Sequence, residues 1–126
     1  MQAVDTNVLV HLFVRDNLKQ AAAAEEFIAA GAWVPHIALV ETVWVLDSIY
    51  GKTRSEISQF LKALLDHNSL VIQDADVVAA ALDAFRNTKG VEFADCMILT
   101  VSKKAGHTPL GTFDTKLAKI DGTALV

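Results

Sequence analysis

Cysteine is nearly absent: Cys96 is the only one in 126 residues. A lone cysteine excludes an intrachain disulfide and fits a reducing, cytoplasmic setting. With no histidine beside it, Cys96 reads as a small core residue rather than a nucleophile. The four histidines, His11, His36, His67 and His107, show no H-x3-H or Cys/His spacing, which argues against a zinc site. Neither GxxxxGK[ST] nor GxGxxG occurs, so the common phosphate-binding loops are excluded. No apolar run approaches the roughly 18 residues of a membrane span, because Glu41 and Asp47 interrupt the longest one. The chain opens without a basic n-region or a secretory cleavage pattern, and no targeting segment is expected. Positive charge is also scarce, with 11 Lys and Arg against 15 Asp and Glu, a net charge of −4. That balance argues against a general nucleic-acid coat protein. It leaves room for an enzyme that meets nucleic acid through local basic residues and a metal.

What the chain has in excess is apolar side chain: 52% of residues, with a mean hydropathy of +0.35. The length suits one domain over residues 1–126 with a core of its own. The apolar surplus predicts a subunit interface, hence a homodimer or higher assembly. No linker, repeat or low-complexity stretch interrupts the order. QAVD reads as a first strand, and TNVLVHLFV as a helix capped by Thr6 or Asn7. A helix over 18–30 ends at Gly31, and AWVP is a second strand. HIALVETVWVLDSIYG is a helix apolar on nearly every face, so it is expected in the core or in a partner, with Trp33 and Trp44 likewise packed away. Thr53 and Glu56 spell a capping box at the start of the next helix. SLVIQ, HTPLGTF and GTALV are the remaining strands, the second irregular at Pro109. ADVVAAALDAFRN, EFADCMILTVSKKAG and a short DTKLAKI are the remaining helices. Strands alternating with helices at these lengths predict an α/β fold on a mostly parallel five-stranded sheet. In such sheets ligands gather beyond the C-terminal ends of the strands. Asp5 follows the first strand and so belongs to that edge.

Three other acids occupy comparable places. Glu41 shares a helical stripe with Ile37, Trp44 and Val45. Asp95 sits in the first turn of an apolar helix, and Asp114 follows the strand-like PLGTF. Taken singly, Asp5, Asp95 and Asp114 are explained as residues complementing a helix dipole, each worth about 0.3–1 kcal/mol. Glu41 is not, because an unpaired charge amid apolar neighbours in mid-helix is expensive. Four carboxylates about 6 Å apart would repel by about 3 kcal/mol per pair at an effective dielectric of about 20. Lys and Arg are absent from the immediate sequence neighbourhoods of Asp5, Glu41 and Asp95. A divalent cation is the natural counter-charge, and an all-oxygen shell suits Mg2+ or Mn2+.

DTNVLV at 5–10, Glu41 in a long apolar helix, EFADCMIL at 92–99 and TFD at 112–114 together resemble the PIN-domain family. More narrowly they resemble the VapC toxins of toxin–antitoxin pairs. The resemblance runs over essentially the whole chain, and it implies a three-layer α/β/α sandwich and a metal-dependent endoribonuclease. Asp5, Glu41, Asp95 and Asp114 match the family's catalytic and metal-binding acids; Asn7 and Thr112 match the polar residues that orient them. Glu92 stands where many relatives carry another acid, usually Asp, and His11 where relatives often carry Arg. The implied cofactor is Mg2+ or Mn2+, with Glu41 either completing the ion's shell or orienting water. The implied partners are an RNA substrate and a VapB-type antitoxin, whose C-terminal segment would lie across the acidic pocket; no membrane is involved. Arg15, Arg86, Lys89, Lys103, Lys104 and Lys116, near predicted helix ends, are the cations available to RNA. With few aromatics, the RNA is expected to be read by shape rather than by extensive stacking. Two rivals remain. A catalytically inert PIN-like binding module would bind no ion. A phosphoaspartyl enzyme would use Asp5 as nucleophile, although D-T-N replaces the D-x-D such phosphatases require.

Overall fold

The computed structural model describes all 126 residues. Five strands and six helices follow one another in the expected order, joined near the end by a 3-10 turn. The chain divides into two compact units, Met1–Ala75 and Asp76–Val126.

The first unit contains β1 (Gln2–Ala3), α1 (Thr6–Phe13), α2 (Leu18–Ile28), β2 (Ala32–Val34), α3 (His36–Ser48), α4 (Arg54–Leu65) and β3 (Leu70–Ile72). Its sheet runs β1-β2-β3 with both pairings parallel, Gln2 opposite Ala32 and Ala32 opposite Leu70. Period-two alternation decides the faces. Ala32, Val34, Leu70 and Ile72 are buried, whereas Trp33 and Val71, opposite one another, turn outward. Leu9 and Val10 of α1, Leu39 and Leu46 of α3, and Phe60 and Leu61 of α4 are buried. Each such side chain contributes about 1.5–3 kcal/mol of burial. The rings of Phe13 and Phe60 meet at 5.1 Å. The Thr53 capping box forms as the sequence requires: Thr53 Oγ1 accepts the Glu56 N–H, and Glu56 Oε1 accepts the Thr53 N–H, both at 3.1 Å.

The second unit contains α5 (Ala75–Asn87, its first residue at the boundary), α6 (Phe93–Lys104), β4 (Leu110–Thr112), the 3-10 turn Leu117–Lys119 and β5 (Thr123–Leu125). Here β4 and β5 pair in parallel, Leu110 opposite Thr123. Val78 and Phe85 of α5 and Phe93, Cys96 and Leu99 of α6 are buried, with Phe85 and Phe93 edge to face at 6.0 Å. Pro109 stands immediately ahead of β4, where its missing N–H is harmless.

The architecture is therefore α/β with parallel strands, as expected, but the five strands form sheets of three and two rather than one sheet of five. Strands of two or three residues carry few ladder bonds, and each pairs only as far as those bonds reach. Helix α3 is only partly buried within the chain: Ile37 is 73% and Trp44 59% exposed, and Trp33 is partly exposed too, so of the two settings expected for them the core does not take these side chains. When nearly every position of a helix is apolar, periodicity cannot say which face turns inward. No helix is long and apolar enough to cross a membrane.

Candidate functional site

Asp5 sits where an extended strand turns into a helix. Val4 N–H still bonds the Trp33 carbonyl at 3.0 Å, continuing the β1–β2 ladder by one residue, and Asp5 itself is extended. The N-cap of α1 is therefore Asp5, not Thr6 or Asn7: its Oδ1 accepts the Val8 N–H at 3.3 Å. A carboxylate held at a helix N-terminus is favoured by the dipole. The other carboxylate oxygen makes no hydrogen bond within the protein. Asn7 lies in the first turn of α1 and is exposed.

Glu41 lies on α3, which packs against α1. It is exposed and has neither hydrogen bond nor ion pair. The expected burial cost therefore does not arise, because the stripe it shares with Ile37 and Trp44 faces outward and water reaches the charge.

In the second unit the acids are held differently. Glu92 is the extended N-cap residue of α6, yet its side chain caps nothing; its carbonyl instead accepts the Asp95 N–H at 3.1 Å. Asp95 is the third residue of α6, where the dipole alone would favour its charge. Its carboxyl is nevertheless held above the ordinary aspartate range, first by burial and then by the negative charge of Asp114. No Lys or Arg pairs with either acid. Asp114 is fixed by its own backbone turn: Oδ1 accepts the Lys116 N–H at 2.8 Å and the Leu117 N–H at 3.3 Å. Thr112 meets Asp114 at the backbone: its hydroxyl accepts the Asp114 N–H at 3.0 Å.

The basic candidates divide. Arg15 pairs with Glu25 at 2.7 Å and Lys104 with Asp76 at 3.2 Å, whereas Lys89, Lys103 and Lys116 form no ion pair. His11 Nδ1 is buried without a hydrogen bond, 4.0 Å from Asp16 Oδ1.

No group of three or more His, Cys, Asp or Glu side chains stands arranged to hold an ion. What the structure brings into electrostatic contact is the Asp95–Asp114 pair. The donor chemistry nevertheless fits a hard divalent cation. All four acids offer carboxylate oxygens, and in Asp5 and Asp114 hydrogen bonds tie down one oxygen and leave the other.

A carboxylate at a strand-to-helix junction of a parallel sheet, with further acids on α3, at the start of α6 and beyond β4, defines an α/β protein with an acidic donor set. The PIN domain model matches residues 3–123, and the chain belongs to the PIN domain family. Its six helices and parallel strands are consistent with a PIN-like α/β/α fold. PIN domains are generally metal-dependent nucleases. No individual curated protein and no solved structure matches the chain.

Proposed function

We propose that this protein is a Mg2+- or Mn2+-dependent endoribonuclease, the toxin of a VapBC-type toxin–antitoxin pair, with Asp5, Glu41, Asp95 and Asp114 as its catalytic and metal-binding acids. The observation that carries the reading is the Asp95–Asp114 pair. Burial and then the charge of Asp114 disfavour ionised Asp95, and no Lys or Arg pairs with either acid. Such a pair on a chain of this family calls for a cation from outside.

When bound, the ion would neutralise the acids, polarise the scissile phosphate and acidify the attacking water. The residues prepare for this in different ways. Asp5 and Asp114 present one oxygen each, the other being fixed by backbone amides. A bound cation would favour the ionised form of Asp95, offsetting the burial and the Asp114 charge that disfavour it. Glu41, unpaired and hydrated, is free to accept a hydrogen bond from the attacking water and so align it. Thr112 and Glu92 hold the backbone at Asp114 and Asp95.

Because water attacks, the 2′-OH takes no part, and the products carry 5′-phosphate and 3′-OH ends. An end-group assay on RNA cut by the purified chain in Mn2+ checks this; 2′,3′-cyclic phosphate ends would contradict it. The toxin role predicts growth arrest on expression in a bacterial host. Co-expression of an antitoxin, or the Asp5→Asn substitution, relieves the arrest. Arrest undiminished by Asp5→Asn would refute it.

A further inference from the structure

We propose that Lys116 is a phosphate-contacting residue of this nuclease, gripping the RNA backbone beside the bond to be cut; the assignment rests on the nuclease reading above. Lys116 is tied to Asp114 and to the segment that leads into α6, the helix that carries Asp95. Its backbone N–H holds Asp114 Oδ1 at 2.8 Å. Its side chain runs across Gly90, in the segment leading into α6, five residues before Asp95. The fit is close: a Cβ built on Gly90 would stand 2.7 Å from Lys116 Cδ and 3.0 Å from Nζ. Gly90 also has φ +79, a conformation side-chain-bearing residues rarely adopt, so glycine serves both the turn and the passage of the lysine stem. The ammonium at the end of that stem pairs with no carboxylate, whereas Lys52, Lys62 and Lys104 are engaged by Glu56, Asp66 and Asp76. An unneutralised cation whose backbone holds one of the acids proposed to bind the metal is suited to an incoming anion. In a chain of net charge −4, meeting a polyanion depends on such local cations.

Lys103 provides the control. It too packs over a glycine, Gly122, and lacks an ion pair. It lies in the last turn of α6, eight residues and about 12 Å along the helix from Asp95.

The experiment measures binding of a labelled, single-stranded oligoribonucleotide of mixed sequence to the full chain in Mg2+, across a series of KCl concentrations. An Asp5→Asn background slows cleavage so that binding is read on intact RNA. Lys116→Met keeps the stem and removes the charge. It should weaken binding several-fold, equally for oligonucleotides of different sequence. It should also lower the slope of log affinity against log salt by about 0.7, the value for one single-strand phosphate contact. Lys116→Arg and Lys103→Met should keep the parent slope, with the melting temperature unchanged throughout. An unaltered slope in Lys116→Met overturns the assignment. So does a loss shared by Lys116→Met and Lys116→Arg that tracks a fall in melting temperature, since the stem's packing would then explain it. Cleavage of the same RNA by the unsubstituted chain in Mn2+ is run alongside. If that chain cuts RNA and Lys116→Met behaves as parent, only Lys116 is misassigned. If it neither cuts nor binds RNA, the nuclease reading falls and takes Lys116 with it.

Discussion

The two units carry their acids on opposite thermodynamic terms. In the first, Asp5 caps α1 and Glu41 stands in water, so neither charge opposes folding. In the second, Asp95 is partly buried and close enough to Asp114 for their charges to interact, and the folded state disfavours its ionised form. Residues proposed for one chemical task are thus stabilising at one position and destabilising at another. Where a charge opposes folding and has no internal partner, the reason for keeping it is sought in what it binds.

That contrast can be broken by substitution. The largest effect is on cleavage. Asp5→Asn and Asp95→Asn should each lower kcat on RNA by on the order of 10²–10³, the scale for removing one preorganised electrostatic group. Near wild-type turnover in either variant would remove that residue from the site.

Stability should then separate the same positions. Asp5→Ala loses the cap and should lower unfolding free energy by about 1 kcal/mol, while Asp5→Asn keeps an acceptor for the Val8 N–H and should cost far less. Asp95→Asn should go the other way. An acid whose folded pKa is raised contributes stability that is full below its unfolded pKa, about 3.9, and is lost as pH rises through the folded value. Without added metal, Asp95→Asn should therefore melt above wild type at neutral pH, with the gap closing as pH falls towards 4. A variant that melts below wild type at pH 7 would contradict the burial and repulsion assigned to Asp95.

The smallest effect expected is at Thr112. Thr112→Val removes the acceptor for the Asp114 N–H and should lower stability by about 1 kcal/mol. Its kcat should fall more modestly than in either acid variant, because Asp114 keeps its two other backbone bonds. Thermal melts and single-turnover cleavage measure both.

Much of this was legible in the residues. Every strand and every helix but the last short one appears in order because apolar periodicity and capping signals agree locally, as at Thr53 and Glu56. The acids were legible as residues but not as conformations. Asp5 could be seen to follow a strand; that it, rather than Thr6, caps α1 depends on the chain staying extended one residue longer. DTKLAKI reads as a helix, yet only Leu117–Lys119 forms a 3-10 turn. Asp114 takes the Lys116 and Leu117 amides into a side-chain turn that competes with helix. The exposure of Trp44 was hidden by the uniform apolarity of α3. The path of Lys116 depends on the backbone angle of Gly90, and no spacing rule connects residues 90 and 116.

Mn2+ binding, followed by calorimetry and by melting temperature in wild type and in Asp5→Asn, Glu41→Gln, Asp95→Asn and Asp114→Asn, tests the central claim most directly. The account predicts that Mn2+ binds and stabilises the wild type, and that each substitution weakens both effects. A wild type that takes up no ion at millimolar concentration, or four variants that bind it as well as wild type, would contradict the claim.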